Sequence, residues 1–187
     1  MKKEKLFILA ILMSILPGCA TFQPPSYSPD YETLDNLKKL NLAKLSVESF
    51  QPKDPKAAVN NISLRGGSMK AVEGAFSTYL ENAIRSDMKE VGIFDPAANL
   101  KLDATVIKND IDISGISKGS GTLAVKLLVT KNGSTTLNKE YSTTTQFESS
   151  FAGAVAVGIG QREYPNLVRS FLKNVYNDPE FLNAIKK

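Results

Sequence analysis

The sequence predicts an α+β fold, a mostly antiparallel sheet of four to five strands with two main helices packed on one face. Three observations carry that expectation. Between Ser68 and Val91 the apolar residues Val72, Phe76, Tyr79, Leu80, Ala83, Ile84, Met88 and Val91 recur at spacings of three and four, the period of an amphipathic helix. Leu100, Leu102, Ala104 and Val106 alternate, as do Leu123, Val125, Leu127 and Val129, the period-two pattern of half-buried strands. Asn132-Gly133 then separates the second run from a further one, and that pair favours a hairpin because both residues accept positive φ. A strand, a long helix, a run of antiparallel strands and more helices suit helices layered on a sheet.

The first eighteen residues stand apart from this domain. Lys2, Lys3 and Lys5 precede an uncharged apolar run from Leu6 to Leu16, and Gly18 lies directly before Cys19, the only cysteine. That order is the order of a secretory signal peptide, and a run of eleven residues is short of the ~20 that span a bilayer. Leu16, Gly18 and Cys19 resemble the lipobox of bacterial lipoproteins, with Pro17 where Ala or Ser is commoner. The resemblance implies cleavage between Gly18 and Cys19, a diacylglycerol on the Cys19 thiol and acylation of the new amine. One acyl chain binds a membrane marginally and two or more hold firmly, so three anchor the chain to the membrane. In a Gram-negative cell, Ala20 in place of an Asp after the cysteine implies the outer membrane, on its periplasmic face.

Loss of residues 1–18 removes three of the 23 Lys and Arg and one of the 19 Asp and Glu, leaving 20 against 18 in a mature chain of 169 residues. That size suits one domain, residues 34–187. A balance so near neutrality gives no basic footprint for nucleic acid, and with Cys19 lipidated no thiol remains for a disulfide.

In chain order, Pro24, Pro25 and Pro29 mark residues 19–33 as the lipidated Cys and a Pro-rich tether, long enough at about 3.1 Å per residue to hold the domain roughly 40 Å from the membrane. Phe22, Tyr27 and Tyr31 either pack on the domain or rest at the lipid interface. Leu34, Leu37 and Leu40 suggest a short helical turn or an irregular lead-in, and Leu42–Phe50 alternates as a strand stopped by Pro52 and Pro55. Ile62 and Leu64 form a second short strand or a loop before Gly66-Gly67. Ser68 is a reasonable N-cap for the long helix and Gly92 its C-terminal residue. Ile111 and Ile113 continue the first alternating run weakly, and the hairpin's return strand covers about Thr136 to Phe147. A second helix from about Gln161 to Tyr176 places Pro165 in its first turn, and Asp178-Pro179 opens a short final helix.

The chain has no His, which excludes triads with a His base and zinc sites of His and Cys. No catalytic residue, cofactor or metal site is assigned. Ser170 and Lys173 have Ser-x-x-Lys spacing without the companion motifs of that chemistry. Gly119-Ser120-Gly121 matches a dinucleotide pattern, but a strand follows where a helix must, so these glycines are expected in a turn or bulge. Asp110 and Asp112 read as a solvated strand face. The uncharged segment from Phe151 to Gly160 is the remaining candidate: Phe151, Gly153, Val155, Val157, Gly158, Ile159 and Gly160 either cross the core or meet a partner or membrane.

The lipobox, tether and order of elements together resemble small periplasmic auxiliary lipoproteins of envelope transport and assembly systems, the LptE-like and PqiC-like ones among them. That resemblance implies a non-enzymatic, outer-membrane-anchored accessory subunit with an envelope protein as partner. The alternative is a small-ligand or lipid-binding periplasmic module, which requires an apolar cleft between helices and sheet.

Overall fold

The computed structural model describes residues 20–187. The signal segment, Gly18 and Cys19 lie outside the described residues. In chain order the elements are β1 (Thr21–Phe22), α1 (Tyr31–Lys38), β2 (Ser46–Val47), a 3-10 turn (Ala58–Asn60), β3 (Ile62–Leu64), β4 (Gly67–Met69) and α2 (Phe76–Val91). There follow β5 (Leu100–Asp112), β6 (Lys118–Lys131), β7 (Ser134–Glu148), α3 (Gly153–Tyr176) and α4 (Pro179–Ala184).

The strands form two sheets, of order β2-β5-β6-β7 and β1-β4-β3. The single sheet expected from the sequence is thus corrected to a four-stranded sheet and a three-stranded one, each with one parallel pair, and the two main helices are accompanied by the shorter α1 and by α4, the short final helix expected at Asp178-Pro179. The main sheet is a meander of β5, β6 and β7, closed at its second turn by Asn132 (φ 51) and Gly133 (φ 80). Its inward residues do not keep one parity. Leu102, Ala104 and Val106 are buried, then the register shifts between Val106 and Lys108, and Asn109, Ile111 and Ile113 are buried instead. A bulge at Ile107 makes that change, since one extra residue moves all later side chains to the other face. Ile107 itself is left exposed.

The alternating run at residues 42–50 pairs with β5 only at Ser46–Val47, in parallel, with bridges at Leu45–Phe94 and Gln51–Thr105 on either side. The Gly66-Gly67 region is a hairpin in which Arg65 (φ 38) and Gly66 (φ 86) join β3 to β4. Ser68 therefore sits in a strand, not at a helix N-cap, and α2 begins eight residues later at Phe76. The expected stripe loses Val72 to solvent, but from Phe76 through Met88 it faces the core. Gly92, at φ 81, ends the helix as expected, its N–H bonding Lys89 O.

Helix α3 starts at Gly153 rather than Gln161, so Pro165 lies inside it. It packs on β6 and β7 and runs beside α2 in the same direction: Tyr164 stacks with Phe76 (centroids 4.6 Å apart) and Tyr79 (5.3 Å), and Tyr176 reaches Asp87. Two glycines permit the close seat on the sheet. A Cβ on Gly160 would meet the Ile111 and Ile113 methyls at 3.2 Å, and one on Gly121 would meet Ile111 and Leu167 at 3.0 Å. Asp30 caps α1 through Thr33, and Asp178 caps α4 at Glu180 N, with Pro179 in the first turn.

Candidate functional site

The end of the domain where β3, β5 and β7 meet their connecting loops is built on Arg65. The two-residue turn Arg65-Gly66 points its guanidinium at two other loops. Nε donates to Ile113 O (2.8 Å), Nη2 to Gly115 O (2.8 Å) and Nη1 to Phe151 O (2.7 Å). A planar fork of donors suits three convergent carbonyls that have no partner in secondary structure. The β5–β6 and β7–α3 loops are further joined by Ser149 N donating to Ser117 O at 2.8 Å. Around this clamp stand exposed apolar side chains, Phe151 at 77%, Ile116 at 73% and Val155 at 53% of full exposure.

The start of the described chain lies at the same end. Ala20 O accepts from Ser68 N (3.0 Å) and Phe22 O from Lys70 N (2.9 Å), in the parallel β1–β4 pairing. A Cβ on Gly67 would collide with the Phe22 ring and Ala20 O, so the strand approaches as closely as it does only over glycine. Beyond β1 the chain stays on the domain. Pro24 is buried, Gln161 Nε2 donates to Gln23 O (2.9 Å), and Tyr79 Oη donates to Pro25 O (2.9 Å). Within the stretch expected as a Pro-rich tether, 19–33, residues 20–30 form a strap along α2 and α3.

The strap ends on a buried carboxylate. Asp87 is inaccessible to solvent, and its Oδ2 accepts from Tyr27 Oη (2.9 Å) and Tyr176 Oη (3.0 Å). Burial pushes its pKa up to about 6, against the two phenol hydrogen bonds that lower it. Burial and the facing carboxylate push both phenols well up, so both remain donors. The crevice lined by these groups, Asp30 and Arg169 leaves no space of water size. A second buried carboxylate, Glu81, accepts from Phe50 N (3.1 Å), Lys53 Nζ and Arg85 Nη2 (2.8 Å), and so fixes the loop after β2 to α2. Both clusters join chain segments through hydrogen bonds.

The candidate segment 151–160 is divided by the helix it begins. Ala156, Val157 and Gly160 are buried, Gly153, Gly158 and Ile159 are half-buried, and Phe151 and Val155 are exposed. Ser170 is half-buried and Lys173 exposed, 3.8 Å from Asp30. Asp110 and Asp112 are exposed, and the hydrogen bond from Ser114 N holds Asp112 below the usual carboxylate range. Gly119 and Gly121 lie within β6 rather than in a turn or bulge, with the Phe147 ring across Gly119. Among the described residues no group of three His, Cys, Asp or Glu could hold a metal ion, and no helix is long and apolar enough to cross a membrane.

Arg65, Asp87 and Glu81 were not singled out from the sequence. For Asp87 a signal existed: it stands three residues after Ile84 and seven after Leu80, on the apolar stripe itself. Arg65 offered only its position before Gly66-Gly67.

No protein-family model matches the chain, and no curated protein matches it in sequence. A crystal structure of a Xanthomonas campestris protein of the family DUF330 is similar in fold, with a TM-score of 0.54 at 12% identity over 84% of this chain and 95% of that one. The two share an α+β fold. A crystal structure of a Caulobacter crescentus protein is 13% identical with a TM-score of 0.45, covering 83% of this chain and 98% of its own. A minor lipoprotein from Acinetobacter baumannii is 14% identical with a TM-score of 0.45, covering 79% and 97%.

Proposed function

We propose that the chain is a non-enzymatic lipoprotein, anchored by Cys19 on the periplasmic face of the outer membrane, that serves as an accessory or docking subunit in envelope transport or assembly. The observation that carries this reading is the run Leu16-Pro17-Gly18-Cys19 after a short basic and apolar leader. Similarity to the LptE-like and PqiC-like auxiliary lipoproteins in order of elements is what suggests the accessory role. Docking is favoured over ligand enclosure because α3 lies directly on the sheet at Gly121 and Gly160, which leaves no cleft between the two layers there. The apolar depression of about 270 Å³ between Leu40, Leu42, Pro179 and Leu182 lies outside that interface and is open.

Purification from membranes in mild detergent, with mass spectrometry of the intact complex, tests the reading. The expected mass is that of a chain starting at a triacylated Cys19, together with a stoichiometric protein partner. An unmodified Cys19 or a retained leader would overturn the anchor. Co-purified lipid in place of a protein would replace docking by the ligand-binding alternative.

A further inference from the structure

We infer that the Arg65 end of the domain is its membrane-facing surface, with Phe151, Ile116 and Val155 seated in the headgroup region of the leaflet that holds Cys19. The inference rests on the lipid anchor proposed above and adds to it an orientation and a second contact. Its first support is where the described chain starts. One peptide bond, about 3.8 Å between Cα atoms, separates Ala20 from Cys19, and Ala20 is fixed to Ser68 at the β4 side of the Arg65-Gly66 turn. No spacer intervenes. A bilayer holding the acyl chains of Cys19 therefore meets the domain at this end.

The second support is the chemistry found there. Phe151 and Ile116 belong to two loops that Arg65 ties together, Val155 stands in the first turn of α3, and all three are more than half exposed. Clustered apolar side chains on an otherwise polar surface mark a contact. At this end Arg65 and Lys118 are offset by Asp112 and by Glu148, which lies 3.8 Å from Lys118, so the surface is near neutral and suits apolar insertion more than attraction to anionic lipid. Interfacial apolar groups reach about 5–10 Å into the headgroup and acyl boundary, a depth that side chains on loop tips can span. Their role is orientation, the acyl chains supplying the affinity.

The protein has no Trp, so single substitutions to Trp report their own surroundings. Phe151→Trp and Val155→Trp place a reporter at the Arg65 end. Leu40→Trp places one past the start of β5, at the opposite end of a strand of thirteen residues, about 40 Å away. Each full-length, lipidated variant is reconstituted in phosphatidylethanolamine and phosphatidylglycerol vesicles with brominated acyl chains, then floated on a density gradient. The expected result is flotation of all three, with a blue shift and loss of most emission for the residue 151 and 155 reporters and neither for residue 40. Flotation with no quenching at 151 and 155, or with equal quenching at 40, overturns the orientation and leaves the anchor standing. Failure to float overturns the anchor, and the orientation falls with it. Val155→Trp keeps the test readable should Phe151→Trp disturb the loop.

Discussion

The Arg65 guanidinium donates to the Phe151 carbonyl at 2.7 Å, tying the β3–β4 turn to the start of α3 across 86 residues of sequence. Arg65→Ala should loosen both loops it holds. Water can replace part of what is lost because the side chain is exposed, so the expected global cost is only about 1 kcal/mol. The sharper readout is amide hydrogen exchange, expected to accelerate at residues 114–117 and 150–152 and not in β6. Arg65→Lys should restore little, since a point ammonium cannot serve three carbonyls set in a fork. Unchanged exchange in both loops would remove the clamp.

Tyr27 holds the strap to a buried carboxylate, and Tyr27→Phe removes that bond alone. A hydrogen bond to a charged group is worth about 1.5–3 kcal/mol, and for a domain of this size each kcal/mol lowers Tm by about 2–4 °C. Thermal unfolding should therefore show a drop of several degrees, and limited proteolysis should cut first between residues 20 and 30. A variant that melts like the parent would show that Tyr27 adds nothing.

Asp87 sets a pH dependence whose sign is opposite to that of a paired surface carboxylate. Its pKa is raised from 3.8 to about 6 on folding, so the folded state binds the proton more tightly. The associated stability is complete below about pH 4 and is lost as pH rises through 6. Two units correspond to roughly 3 kcal/mol at about 1.4 kcal/mol each, an upper figure for the drop between pH 4 and 7. Asp87→Asn should flatten that part of the profile in urea titrations. A parent protein equally stable at pH 4.5 and 7 would contradict the assignment. The carboxylates held low, Asp30, Asp112 and Asp178, lose their contribution only as pH falls through their depressed pKa values, and Asp103, raised by burial, acts with the same sign as Asp87, so the difference made by Asp87→Asn isolates Asp87.

Glu81 is buried to all but 8% of its surface and accepts from three donors, two in the loop after β2 and one on its own helix. Glu81→Ala leaves Phe50 N without an acceptor and Arg85 with Val47 O alone. Breaking such a buried pair costs about 3 kcal/mol or more, most of it from the stranded donors, while the half-exposed Lys53 contributes little. Glu81→Gln should recover part of the loss. Equilibrium unfolding in urea measures both.

Gly160 and Gly121 fix the distance of α3 from the sheet. Gly160→Val would press on Ile111 and Ile113 and is expected to cost about 1–3 kcal/mol by overpacking, visible as a lower urea midpoint with unchanged slope. Stabilisation would mean that α3 lifts off at no cost.

What was legible in the sequence was chiefly local. Asn132-Gly133, Gly92 and the Asp178-Pro179 cap dictate their own backbone, and each was found where expected. The start of α2 was misplaced because residues 67–69 pair with Ile62–Leu64 and with Thr21–Phe22, the latter partner more than forty residues away. The start of α3 was placed too late because Gly153, Gly158 and Gly160 each disfavour a helix by about 1 kcal/mol. Burial of Ala156, Val157 and Gly160, the last against Leu64, Ile111 and Ile113, outweighs that penalty. The parity of β5 held the clue to its bulge, since Leu102 to Val106 are even and Ile111 and Ile113 odd. The strap was hidden by composition, as prolines read as linker wherever their partners are distant. Gln161 and Arg169, which bond Gln23 and Ser28, are 138 and 141 residues further on.

That last separation has a consequence for timing. In a chain exported amino terminus first, as proposed, Gln23 and Ser28 emerge long before the helix on which they come to rest. The strap can seat only after the carboxy-terminal third has arrived. Maturation of the anchor and closure of the domain thus become successive events, ordered by the distance between contacts along the chain.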